Sequence, residues 1–180
     1  LAANTSGEYN VAFGYQSLDA NTTGSSNTAV GYQAFTDNTT GGSCVAVGKN
    51  ALSNNETADY NVAVGFQALF TNTTGASNTA VGHNALVNTT TASSNTAIGA
   101  EAGDALTSGD LNVAIGRSAL GANTVGDRNV AVGAYALSTN NPATNQDSYN
   151  VAVGYGASNA ITTGKQNTSV GGLALDELTT

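Results

Sequence analysis

NVAVGFQALFTNTTGAS, Asn61 to Ser77, is followed at once by NTAVGHNALVNTTTASS, and variants of this string fill the chain from end to end. The pentad Asn-(Val/Thr)-Ala-(Val/Ile/Phe)-Gly begins at Asn10, Asn27, Asn61, Asn78, Asn95, Asn112, Asn129, Asn150 and, with Ser169 in place of Ala, at Asn167; Cys44 heads one further copy. Successive starts lie 17 residues apart, except that 21 separate Asn129 from Asn150, around STNNPATNQDSY. A fixed period of this size is the mark of a solenoid, in which each repeat buries its apolar side only against its neighbours.

With the Asn numbered 1, the consensus is N-(V/T)-A-V-G-x-(Q/N)-A-L-x-x-N-T-T-G-x-x. Position 5 is Gly in every copy, and position 9 is Leu at Leu18, Leu52, Leu69, Leu86, Leu120, Leu137 and Leu175. Seventeen residues are too few for a helix pair. They suit two short strands and two bends: a first strand at positions 1 to 4, β-branched and alternating, a Gly bend, a second strand around positions 7 to 10, and an Asn-Thr-Thr-Gly turn. The reading is all-β, a parallel β-solenoid of ten coils over residues 1–180, with an inserted loop at 138–149 in the eighth repeat. At about 4.8 Å per rung the rod is about 50 Å long. Side chains meet their counterparts above and below, and a column of Asn amides can hydrogen-bond along the axis. Leu1 falls at position 9 of a preceding repeat and Thr180 at position 14 of the last, with no polar cap at either end. The expectation is therefore a segment of a longer array.

Both faces of the first strand are apolar. Positions 2 and 4 point one way and position 3 the other; one face lines the interior, and the other needs a cover that a single chain does not provide. Association of identical chains is the economical cover. With 22 glycines, no Trp, no Met and 9% charged residues, the chain lacks large side chains, so its core must be thin.

The pentads NVAVG and NTAVG, and NTAVGYQA at Asn27 to Ala34, resemble the head repeats of trimeric autotransporter adhesins and repeats of phage and other viral tail fibres. The resemblance implies a left-handed β-roll, a homotrimer, and a place on a cell surface or virion.

No catalytic set is visible, and no cofactor is expected. His83, the only histidine, sits at the variable position 6 and reads as a surface residue; it is also the only candidate base if the chain were a hexapeptide-type acyltransferase helix, whose period of six it lacks. Asp110 and Asp127 share position 16, but two carboxylates fall far short of the six to eight oxygens that calcium takes. Cys44 reads as a packing substitution. Four basic residues, Lys49, Arg117, Arg128 and Lys165, against a net charge of −8, exclude a nucleic-acid footprint. No run of about 18 apolar residues could cross a membrane. Three roles remain: a non-catalytic extracellular or virion-borne fibre segment; an adhesion module binding a host-surface glycan or receptor through Tyr15, Tyr32, Phe66, His83 and Tyr155 at position 6; and an ice-binding face of Thr at positions 13 and 14, which adjacency and the following Gly disfavour.

Overall fold

The structure is a computed structural model that describes residues 1–177. Positions 2 to 4 of every copy form a three-residue strand: β1 (Val11–Phe13), β2 (Thr28–Val30), β3 (Val45–Val47), β4 (Val62–Val64), β5 (Thr79–Val81), β6 (Thr96–Ile98), β7 (Val113–Ile115), β9 (Val130–Val132), β11 (Val151–Val153) and β12 (Thr168–Val170). They make one parallel sheet in which each strand pairs with that of the coil before and the coil after. Like meets like throughout, as in Val62↔Thr79, Ala63↔Ala80 and Val64↔Val81. The molecule is thus a parallel β-solenoid of about nine turns, and from β1 to β12 the stack is about 43 Å long at the usual interstrand spacing.

The second strand expected around positions 7 to 10 is not formed. Those residues are turns, because positions 7 and 9 take the left-handed conformation in coil after coil: Gln67 has φ 53° and Leu69 φ 51°, Asn84 φ 55° and Leu86 φ 51°. Residues 5 to 8 close a turn with the Ala85 N–H donating to the Gly82 carbonyl at 3.4 Å, and residues 9 to 12 close another, Asn72 N–H to Leu69 O at 3.3 Å. A positive φ at the third residue of the first turn is the mark of type II. The turns still stack: Gln67 donates to Lys49 O at 3.1 Å and Thr71 to Val87 O at 3.2 Å, so hydrogen bonds between coils continue beyond the strands.

Position 3 faces inward. Its alanines from Ala29 to Ala152 are buried, and with the position-8 alanines and position-9 leucines they fill the narrow interior. Glycine at position 5 is fixed by the stack itself. Gly65 has φ +136°, and a Cβ there would lie 2.4 Å from the carbonyl oxygen of Gly82 one coil on. No side chain fits that approach.

The four extra residues leave the sheet undisturbed, since Val151 pairs with Val130 as in any other coil. Asn141 still donates to Thr162 O at 2.7 Å. Beyond it the chain bulges outward. Pro142 lies over Gly126, and the excursion ends where β10 (Gln146–Asp147) pairs with β8 (Gly126–Asp127) as a small second parallel sheet. Asn145 bonds the Ser108 carbonyl at 3.3 Å, and Arg128 is ion-paired with Asp147 and lies over the Tyr149 ring at 5.7 Å.

Candidate functional site: the outer sheet face and its ring column

With the alanines inside, positions 2 and 4 form the outside of the sheet. One column runs Val11, Thr28, Val45, Val62, Thr79, Thr96, Val113, Val130, Val151, Thr168; the other holds Val or Ile in nine coils and Phe13 in the first. No charge interrupts either column. The residues are half-buried by their own stacking in the middle of the sheet, while Ile98 and Val153 and the end residues Val11, Phe13, Thr168 and Val170 are exposed. The face is three residues wide and ten rungs long, roughly 10 Å by 43 Å over its nine spacings, or about 430 Å². It is bordered on one side by position 17, where Tyr9, Tyr60, Leu111 and Tyr149 are exposed, and on the other, past the glycines, by position 6.

Position 6 holds the residues singled out from the sequence, and the structure brings four of the five into one column. Tyr15 and Tyr32 stack with ring centroids 5.6 Å apart, and Phe66 and His83 stack at 5.4 Å. Lys49 bridges the two pairs, its Nζ 5.8 Å from the Tyr32 ring and 5.8 Å from the Phe66 ring. Tyr155 stands apart, edge-on to Tyr135 at 5.9 Å, and Arg117 lies 5.8 Å from the other side of that pair. Sequence reading missed Lys49, Arg117 and Tyr135 as members; that Lys49 and Arg117 share position 6 was the signal for them. Each stacked ring covers one face of its partner, and Lys49 lies against Tyr32 and Phe66 from the other side, while Tyr15 stays largely exposed.

The polar columns are also occupied from within. Thr hydroxyls at position 13 donate to the carbonyl one coil on, Thr22 to Thr39 O at 2.9 Å and Thr73 to Thr90 O at 3.0 Å, so they are not presented as a lattice toward solvent. The position-16 carboxylates accept backbone N–H groups of the preceding coil, Asp110 from Ser93 and Asp127 from Asp110, both at 2.7 Å. Among the described residues no group of three or more His, Cys, Asp or Glu comes together, and no cavity opens. Cys44 is buried; its thiol donates to Ala58 O and accepts the Asn61 N–H, both at 3.4 Å. Burial pushes its pKa up to about 11, the state of a packing residue and not of a nucleophile.

No family model, curated protein or solved structure matches this chain. Two features stand out from the stacked scaffold as available to a partner: the uncharged outer face with its aromatic borders, and the bulge between Pro142 and Asp147.

Proposed function

We propose that the chain is a structural segment of a fibre, an adhesin head or tail-fibre shaft on a cell surface or virion, non-catalytic and built from identical copies. The observation that carries this is the outer face of the sheet: two columns of Val, Ile and Thr, with Phe13 at one end, running the length of the solenoid without a charge. Magnitude decides how such a face would be used. About 430 Å² lies within the range of the largest apolar patch on an ordinary monomer, roughly 300–600 Å², and below the roughly 800 Å² per partner of a stable interface. Adding the flanking columns, position 17 with Tyr9, Tyr60 and Tyr149 among serines and position 6 with its rings, Lys49 and Arg117, about doubles the width, which brings the surface to the size that association requires. Three copies is the number, and left-handed the winding, that the adhesin-head resemblance implies. In a fibre of this kind a regular surface serves, since it transmits length and stiffness, and the internal use of the threonines and carboxylates is in keeping with that role.

The test is light scattering on the wild-type chain and on a Val30→Lys/Val64→Lys/Ile98→Lys variant, whose charges sit two coils apart on the outer face. The expected result is a multiple of the 17.8 kDa protomer for the wild type and a folded protomer for the variant, while Thr at the same three sites preserves assembly. A wild type that stays a protomer at all concentrations would end the reading.

A further inference from the structure

We infer that this chain reaches its fold in a compartment that does not N-glycosylate it, because the solenoid buries its own acceptor asparagines. The argument is independent of the fibre reading. Asn-x-Ser/Thr occurs at Asn4, Asn21, Asn38, Asn55, Asn72, Asn88 and Asn167. Five of these, Asn4, Asn21, Asn38, Asn55 and Asn72, stand at position 12; Asn4, at the open end of the column, is exposed, and the other four are fully buried. At three of them both amide hydrogens are taken. Asn21 Nδ2 donates to Asn4 Oδ1 at 2.9 Å and Gly24 O at 3.0 Å, Asn38 to Asn21 Oδ1 at 2.7 Å and Gly41 O at 3.0 Å, and Asn72 to Asn55 Oδ1 at 2.7 Å and Gly75 O at 2.9 Å.

N-glycosylation forms a bond from the sugar C1 to Nδ2 in place of one of those hydrogens. The proton is lost to the enzyme, and the diphosphate of a lipid-linked oligosaccharide donor leaves. At position 12 the product lacks a hydrogen bond that ties one coil to the next or closes the turn, and carries a bulky polar group where the fold leaves no room. Transfer to the unfolded chain and formation of the solenoid therefore exclude one another at these sites. Asn88 is the contrasting case. It lies at position 11, is exposed, and uses Nδ2 only at the surface, on Asp104 O at 2.8 Å. A glycan there stands clear of the core.

The third residue of each buried acceptor site, Thr23, Thr40, Thr57 or Thr74, is exposed, so Ala at these four positions removes the acceptor signal without touching the asparagine column. Ser169→Ala removes that of half-buried Asn167 and installs the residue of the nine other coils. The full chain is directed into the secretory pathway of a eukaryotic cell, and glycan occupancy is mapped by mass spectrometry. The expected result is retention of the wild type with glycans at the four buried position-12 asparagines, release of folded wild type when the lipid-linked donor is withheld, and secretion of the five-site variant carrying glycans on exposed Asn4 and Asn88 alone. The inference is overturned if protease-resistant wild type is secreted, with the four buried position-12 asparagines modified or unmodified, or if withholding the donor leaves it retained.

Discussion

Asn at position 1 supplies a donor and an acceptor at a place where both are buried. Asn95 shows the pattern: Nδ2 donates to Gly109 O of its own coil at 2.9 Å, closing the loop, and Oδ1 accepts the Asn112 N–H of the next coil at 2.9 Å. The amide column was legible in the sequence because nothing else explains the same polar residue nine times at a fixed period. That one amide would serve both its own coil and the next required the coordinates. Asn95→Ala strands a carbonyl and an N–H in the interior, and from a cost of roughly 1–3 kcal/mol per orphaned group the loss of stability in urea unfolding is expected to be about 3 kcal/mol. Cys44 imitates this asparagine with weaker bonds. Cys44→Asn is therefore expected to raise stability by about 1 kcal/mol, and the native thiol, with its raised pKa, to resist alkylation at pH 8 until the chain unfolds.

Two coils depart from the Leu-9/Asn-12 recipe in a compensated way. The coil beginning at Asn95 has Gly103 at position 9 and Leu106 at position 12, and that beginning at Asn150 has Ser158 and Ile161; Leu106 and Ile161 are buried. The bulky side chain has moved three residues along the same turn, so the two positions share one volume. A Cβ on Gly103 would lie 2.9 Å from Leu86 Cδ2. Gly103→Leu alone overfills the coil, and Leu106→Asn alone leaves a polar group and a gap. The double variant restores the recipe of its neighbours, and a double-mutant cycle is expected to show a favourable coupling of about 1–3 kcal/mol. The same two coils held the clue to the missed turns. Gly103, at φ 58°, and Gly156, at φ 60° in position 7, stand in the two columns that are left-handed throughout. Because Leu and Gln rarely adopt that conformation, positions 7 to 10, which carry the Ala and Leu, read as a second strand. The ring column was legible as a position shared by Tyr, Phe and His, but the stacking that turns its faces inward on one another depends on rung spacing and on Lys49, which a search for aromatics passes over.

For the whole molecule, net charge of −8 is carried by carboxylates distributed along the rod, and two of them titrate high. Burial, then a carboxylate neighbour, raises Asp37, with Glu56 beside it. Burial also leads the causes at Asp104, opposed in part by backbone hydrogen bonds and reinforced by Glu101. A carboxyl whose pKa is higher folded than unfolded holds more protons in the native state, so its effect on stability is most favourable below the ordinary value of 3.8 and is lost as pH rises through the raised one. Thermal melts are expected to show Asp104→Asn stabilised relative to wild type at pH 7, with the difference shrinking as pH falls toward 4. A gap independent of pH would remove that assignment.

A nitroxide attached at Val64→Cys, in the middle of the outer face, tests the central claim most directly, because buried Cys44 does not compete for the label. If sister chains cover that face, the probe is immobilised, its spectrum is broadened by spins on neighbouring copies, and mixing with excess unlabelled chain removes the broadening. A sharp, mobile spectrum that dilution leaves unchanged, from protein that retains its β-structure, would mean that the valine columns face water and that the chain does not build a fibre through them.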